Sequence, residues 1–116
     1  MNRTFSLIAL GALFALAAPA FAAGDAAAGK QKSLPCAACH GPEGNPTDPQ
    51  YPKLAGQYRD YIEQALKEYK SGKRKNPIMA GFTTTLSDQD IADLSTYFSS
   101  LSGQLSDLDH HVQGRD

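Results

Sequence analysis

Two cysteines and a histidine make up the most informative pattern in this sequence, the pentapeptide Cys36-Ala37-Ala38-Cys39-His40. On a helical turn, residues three and four positions apart lie on one face. Cys36, Cys39 and His40 should therefore project together, with two thiols beside one imidazole. Two thiols at this spacing can form thioethers with the two vinyl groups of one porphyrin, while the imidazole lies beneath the iron. The spacing predicts covalent attachment of a haem.

Three other kinds of site could use the same two cysteines. A dithiol redox motif is one, but no strand–helix–strand pattern surrounds the pair. A structural zinc site needs four ligands at recognisable spacings, and the other histidines, His110 and His111, are adjacent to each other near the C-terminus. A disulfide is the third, and it gives His40 no role. The pentapeptide alone leaves these alternatives open, and the rest of the chain favours haem.

The N-terminal segment has the features of a secretory signal peptide. Arg3 supplies a positive charge, residues 5–16 form an apolar run, and Ala20-Phe21-Ala22 matches an A-x-A cleavage site. The run is short for a membrane span, and no basic stop-transfer cluster follows it. We expect cleavage after Ala22 and a periplasmic protein with no integral membrane segment. An oxidising compartment normally pairs two thiols, and haem attachment would use both.

Length and charge limit what the mature chain can be. The sequence has 116 residues with 11 Lys and Arg against 12 Asp and Glu, and without segment 1–22 these counts become 10 and 12. Binding of nucleic acid would demand a basic excess, so we expect no nucleic acid partner. The remaining 94 residues suffice for one small domain, 23–103, followed by a polar tail, 104–116. Such a domain buries a modest core, which a covalently held porphyrin would enlarge.

Periodicity and capping signals predict three helices and no strand. The first spans about 25–34 with Asp25 as its N-cap, the second about 57–71 and the third about 88–101. The predicted boundary residues are Pro35, which interrupts the first helix, Gly72 after the second, and Ser87 with Asp90 as a variant capping box before the third.

The two long segments between these elements, 41–56 and 72–86, contain prolines and glycines, and we predict loops that enclose the porphyrin from opposite sides. The second contains Met79, the sole methionine left after signal removal. A methionine more commonly fills a gap in a core. A sole methionine in a loop downstream of a haem motif instead favours iron ligation, as in haems with histidine and methionine ligands. We predict His40 and Met79 as axial ligands of one haem, because the chain shows no internal repeat.

Four segments together resemble class I cytochromes c, and more narrowly the cytochrome c4/c553 group. They are 36–41, 51–57, 73–79 and 86–91, the last leading into Tyr97-Phe98. The resemblance implies an all-α class I cytochrome c fold, with three to five helices wrapped around one covalently attached haem c. It also implies that the Pro52 carbonyl accepts the imidazole N–H, which fixes the ring, and that Leu54 packs on the porphyrin. Cytochromes c4 typically carry two such domains in tandem, and this chain has one.

The resemblance further implies a carrier of single electrons, and not an enzyme. Its redox partners would be a membrane oxidoreductase, a terminal oxidase or a dehydrogenase. The alternative is the haem c electron-acceptor subunit of a dehydrogenase complex, such as a flavocytochrome sulfide dehydrogenase, with the catalytic chemistry on another chain. A ligand sensor, which needs a displaceable sixth ligand, is a third hypothesis. We expect a monomer or weak dimer, and a solvated tail in which His110 and His111 bind no metal.

Overall fold

Five α-helices and one short 3₁₀ turn form the part of the protein that the computed structural model describes, residues 23–103. The helices are α1 (Ala26–Lys32), α2 (Leu34–His40), α3 (Arg59–Ser71), α4 (Pro77–Thr83) and α5 (Asp88–Ser100), and the turn is Pro42–Gly44. No strand occurs in this range, so the predicted all-α fold class is confirmed. The predicted signal peptide, 1–22, and the predicted tail, 104–116, with His110 and His111, lie outside the described residues.

Three helix ends lie where the capping signals place them, and these predictions are confirmed. The Asp25 carboxylate accepts a hydrogen bond from the Ala28 N–H at 2.9 Å and caps α1. Ser87 and Asp90 cap α5 reciprocally, since each side chain accepts a hydrogen bond from the backbone N–H of the other. Gly72 ends α3 with a φ of 77°, a left-handed conformation that costs glycine little.

Pro35 starts a helix and does not simply end one. Helix α1 ends at Lys32, two residues earlier than predicted, and α2 then begins with Pro35 in its first turn. A proline is tolerated there because a first-turn N–H has no partner within the helix, and its fixed φ suits that position. The predicted break is therefore displaced to Ser33, and the haem motif 36–40 lies on a helix of its own.

The prediction of a continuous loop over 72–86 is wrong, because Pro77–Thr83 form helix α4. The Asn76 side chain accepts hydrogen bonds from the N–H groups of Ile78 and Met79 at 3.0 and 3.1 Å. An asparagine N-cap followed directly by a proline strongly favours the start of a helix. Here it outweighs the low helix propensity of the β-branched Thr83 at the C-terminal end of α4. In the earlier segment, 41–56, the only regular element is the 3₁₀ turn.

Helices α1 and α5 cross in close contact. A Cβ atom added at Gly29 of α1 would lie 2.1 Å from the Asp93 carbonyl oxygen of α5, so only glycine permits this approach. Beside the crossing, Ile62 of α3 packs with Leu94, Tyr97 and Phe98 of α5 to form the buried core. None of the helices between residues 23 and 103 has the length and apolar character that crossing a membrane requires.

Asp93 is a buried carboxylate, 3% exposed, that ties α1 to α5. Its Oδ1 accepts hydrogen bonds from the Asp25 N–H and the Gln89 amide, both at 2.8 Å, and its Oδ2 lies 2.5 Å from the Lys32 ammonium. The Asp25 N–H, followed by Lys32, holds the pKa of Asp93 below its ordinary value of 3.8. The hydrogen bond from the same ammonium is the main cause that lowers the pKa of Asp90 to about 2.

Replacing this carboxylate should make the protein less stable in a pH-dependent way. Asp93→Asn should lower the free energy of unfolding at pH 7 by roughly 1.5–3 kcal/mol, the usual worth of hydrogen bonds to a buried charged group. Because folding depresses the pKa of Asp93, its contribution is complete above the unfolded-state pKa near 3.8 and disappears as the pH falls through the folded-state value. Urea titrations should show a constant deficit down to about pH 5 and a shrinking one below about pH 4.

Asp88→Asn is the matched control on the same helix. The Asp88 side chain is 64% exposed and lies 3.9 Å from the Lys70 ammonium, an arrangement worth less than about 1 kcal/mol. Equal losses in the two variants would contradict the role given to Asp93.

Candidate functional site

All six site residues predicted from the sequence line one cavity of about 410 Å³. They are Cys36, Cys39, His40, Pro52, Leu54 and Met79. Helices α2 to α5 and the segment between the 3₁₀ turn and α3 all contribute to its walls. The structure therefore brings together side chains that are up to 43 positions apart in the sequence.

Helix α2 places the two thiols and the imidazole on the cavity side. Cys36 and Cys39 are half-buried, and His40 is buried, with 7% of its surface exposed. The helix ends directly after the histidine at Gly41, whose φ of 77° redirects the chain. A Cβ atom at Gly41 would lie 2.2 Å from the Asn45 carbonyl oxygen, so the turn beneath the imidazole requires glycine.

The His40 ring is held by a backbone carbonyl. Nδ1 lies 2.8 Å from the Pro52 oxygen, at which it donates its proton. This bond selects the tautomer in which Nε2 carries a free lone pair, the form that binds a metal. The Tyr51 ring also meets the imidazole edge-on, with centroids 6.3 Å apart. The hydrogen bond implied by the resemblance is present, while iron ligation by His40 stays a prediction.

Met79 lies in the first turn of α4 and not in a loop. Its backbone N–H donates to the Asn76 side chain at 3.1 Å, and its carbonyl accepts from the Thr83 hydroxyl at 2.9 Å. Its side chain is half-buried and lines the cavity that His40 also lines. The predicted placement of Met79 in a loop is therefore wrong, because a capped helix start fixes its backbone. Iron ligation by Met79 stays a prediction.

Leu54 joins the cavity to the hydrophobic core. It is half-buried, packs against the cluster that includes Ile62 and Phe98, and lines the cavity with them. Its N–H donates to the Gly44 carbonyl at 2.9 Å, which ties the segment after the 3₁₀ turn to the turn itself. Contact between Leu54 and a porphyrin stays a prediction.

The chemistry of the two thiols fits thioether formation better than the alternatives. Cys36 and Cys39 are free and form no disulfide with each other. Burial raises the pKa of the Cys36 thiol, whereas cysteines of dithiol redox motifs typically have a lowered pKa. Between residues 23 and 103, no three His, Cys, Asp or Glu side chains cluster in a way that could hold a metal ion, so a closed zinc site has no donor set there.

The cavity fits a haem in lining and donors. Its walls are mainly apolar and aromatic, and they present two thiols, an imidazole with one free nitrogen and a thioether. Sequence reasoning missed several lining residues, among them Lys53, Tyr61, Arg74 and Phe82. Tyr61 could have been found from the apolar stripe of α3, since one edge of that stripe faces the cavity. The position of Phe82 on the cavity wall depends on helix α4, which the sequence analysis does not predict. No local sequence pattern indicates that Arg74 lines the cavity.

Comparison with known proteins agrees with this description. A family model described as cytochrome c matches residues 26–102. Cytochrome c4 of Pseudomonas aeruginosa is 48% identical over 100 residues, which cover 86% of this chain and 49% of the relative. The thiosulfate dehydrogenase electron acceptor of Thiomonas intermedia is 39% identical over 103 residues, covering 87% of this chain and 45% of the relative.

A solved structure has the same fold. The crystal structure of reduced recombinant cytochrome c4 from Pseudomonas stutzeri superposes with a TM-score of 0.68 at 43% sequence identity, covering 72% of this chain and 48% of that one. The chain thus spans about half the length of the relatives it matches. The likeness extends over both the fold and the sequence of the described domain.

Proposed function

The chain belongs to the cytochrome c family and forms a cytochrome c4-like haem domain, and on that premise we propose that it is a carrier of single electrons holding one covalent haem c. The observation that carries the proposal is the convergence of two thiols, an imidazole and a thioether on one apolar cavity. Each comes from a helix whose start or end is fixed by local chemistry, which sets where the donor lies along the cavity wall.

Four residues would hold the haem. Cys36 and Cys39 would bind its two vinyl groups as thioethers, and His40 and Met79 would bind its iron from the two faces. When bound, the haem supplies an iron that gains or loses one electron. The Pro52 carbonyl keeps the proton on Nδ1, so the ring keeps its tautomer and orientation in both oxidation states. The apolar lining limits access of water, which is one of the ways a protein sets the potential of a haem.

The proposed ligand set suits electron transfer and not catalysis at the iron. A thioether in the sixth position leaves no open site for oxygen, peroxide or substrate. No nucleotide or flavin motif accompanies the haem motif in this sequence. The donor and the acceptor are therefore other proteins: a membrane oxidoreductase, a terminal oxidase or a dehydrogenase, met by a monomer or weak dimer.

A second candidate is the electron-acceptor subunit of a dehydrogenase complex. The observation in its favour is the similarity to the thiosulfate dehydrogenase electron acceptor of Thiomonas intermedia. A second relative of this kind, the cytochrome subunit of sulfide dehydrogenase from Chlorobaculum tepidum, is 35% identical to this chain over 74 residues. In that case the catalytic chain would reduce this one directly, and the same haem would pass the electron on.

The proposed organisation is a signal peptide, 1–22, a cytochrome c domain, 23–103, and a polar tail, 104–116. Export and haem attachment are compatible, because attachment would use the two thiols that an oxidising compartment would otherwise pair. Mass spectrometry of the purified protein checks both features together. The expected mass is that of the chain starting at Ala23 plus one haem.

The functional proposal is tested with protein purified from its native source at low ionic strength, so that a bound partner protein is retained. Ascorbate-reduced protein should be reoxidised by membranes of the same bacterium, and the protein should elute alone on gel filtration. Coelution with a flavoprotein at fixed stoichiometry, together with reduction by that protein's substrate, would instead establish the subunit function. Failure of membranes and of any copurifying enzyme to exchange electrons with it would contradict both.

A further inference from the structure

The charged residues that line the haem cavity are all of one sign. Among residues 23–103, Lys53 and Arg74 are in its walls, and no aspartate or glutamate is. A haem c carries two carboxylates. Each needs a positively charged or hydrogen-bonding partner where the haem enters an apolar cavity, because an unpaired charge is costly to remove from water. The lining therefore offers two candidate partners for these carboxylates, one a lysine and one an arginine.

Arg74 is held in place by its neighbours on α3. Its guanidinium carbon lies 5.7 Å from the centroid of the Tyr61 ring and 5.4 Å from that of Tyr69, both within the range of cation–π attraction. Its Nη2 donates to the Tyr61 hydroxyl at 3.3 Å, and its backbone N–H donates to the Glu68 carbonyl at 3.1 Å. The side chain is thus fixed, although 37% of it is exposed.

Most of the donors of this guanidinium are not used inside the described domain. A guanidinium has five N–H groups, and the side chain makes one hydrogen bond there, to Tyr61. The Glu68 carboxylate forms an ion pair with Nε at 3.8 Å, a separation that is too long for a hydrogen bond and leaves the N–H groups free. A planar fork of free donors that is already ordered is suited to bidentate recognition of a carboxylate, which a lysine ammonium cannot provide.

The surroundings decide from which side an anion would approach. The guanidinium also borders a shallow surface depression, and that depression contains Asp60 and Glu68. An anion arriving from solvent would meet these two carboxylates, whereas an anion inside the haem cavity would meet none from the part of the chain that the structure describes. The arrangement favours an anion on the cavity side.

Resting on the proposed function, we infer that Arg74 is the residue that binds a haem carboxylate, with Tyr61 and Tyr69 positioning its guanidinium. The pair would keep that carboxylate ionised across the neutral pH range. It would also place a fixed positive charge beside the haem. This charge would offset the lowering of the reduction potential that the negative carboxylate causes. The other ionisable groups that face Arg74 are Tyr61, Tyr69 and Glu68, and Lys53 lies in the same lining.

The test is the reduction potential of haem-loaded Arg74→Gln as a function of pH. Without its partner the carboxylate should titrate at higher pH than in the wild type. Since a newly ionised carboxylate favours the ferric state, the potential should fall as the pH rises through the weakly acidic range. The wild-type potential should be flat over the same range and higher at neutral pH. Arg74→Lys, which keeps the charge but not the fork, should restore a flatter profile.

Arg59→Gln is the matched control, because it removes the same charge from the opposite end of the α3 region. Arg59 lies at the start of α3, pairs with Glu63 at 3.7 Å and does not line the cavity. It should shift the potential less and add no pH-dependent step. A pH profile of Arg74→Gln that superimposes on that of Arg59→Gln overturns the inference. If Arg74→Gln does not accumulate with haem, Arg74→Met, which also removes the charge, replaces it in this comparison. A wild-type protein without covalent haem would overturn the proposed function, a distinct result.

Discussion

Replacing both cysteines of the haem motif, Cys36→Ala with Cys39→Ala, should leave a chain that is largely unfolded and free of haem. The described domain buries few large apolar side chains besides the cluster of Ile62, Leu94, Tyr97 and Phe98. A cavity of 410 Å³ left without its occupant would cost on the order of 10 kcal/mol at ~24 cal/mol per Å³, an upper limit because water can enter from the open side. That figure is comparable to the whole stability of a small domain.

Far-UV circular dichroism and haem staining after denaturing electrophoresis measure this outcome. The matched control is Ala37→Ser with Ala38→Ser, which changes the two residues between the cysteines. Neither alanine lines the cavity, so this variant should carry covalent haem and show wild-type helicity. Native-like helicity in the haem-free cysteine variant would show that the polypeptide core suffices for folding, contrary to our expectation.

The elements that local chemistry specifies could be predicted from the sequence. The apolar stripe of α3 and the reciprocal cap formed by Ser87 and Asp90 depend on residues within one or two turns of each other, and both occur as predicted. The haem motif is equally local, because its three side chains lie on a single turn of α2. In each case the pattern and its structural consequence lie in the same short segment.

Helix α4 was missed although its start signal is also local. The prolines and glycines of segment 72–86 indicate a loop and mask the start signal at Asn76-Pro77, and the β-branched run Thr83 to Thr85 is itself unfavourable for a helix. In the structure the Thr83 and Thr84 hydroxyls donate to carbonyl groups one turn earlier, which accommodates them at the helix end. Seven residues also give too few turns for a periodic pattern to be visible.

Two other features could not be predicted because they depend on tertiary contacts. Asp93 has the sequence environment of an exposed helix position, and only the crossing of α1 over α5 brings the Lys32 ammonium and the Asp25 N–H to it. Arg74 follows the C-terminal end of α3, where a basic side chain typically complements the helix dipole. The fold turns it back along that helix, where two tyrosines hold it at the rim of the cavity.

Met79 gives the second of the two largest effects that we expect. Met79→Leu and Met79→Ala should both abolish the sulfur-to-iron charge-transfer absorption of the oxidised protein. They should also lower its reduction potential, because methionine opposite histidine raises the potential of a c-type haem. Leucine is close to methionine in volume, so Met79→Leu keeps most of the packing and removes only the sulfur. Equal loss of the band in both variants therefore reports ligation and not collapse of the cavity wall.

Ile78→Ala separates loss of the ligand from general damage to α4. Ile78 is the residue before Met79, lines the same cavity and is 61% exposed, so its truncation shortens a neighbouring side chain without touching the thioether. The cap is also retained, because the Asn76 side chain accepts from backbone N–H groups at both positions. This variant should keep the band and stay close to the wild-type potential. If the band survives in Met79→Leu, the sixth ligand is another group, and the assignment of Met79 as a ligand is wrong.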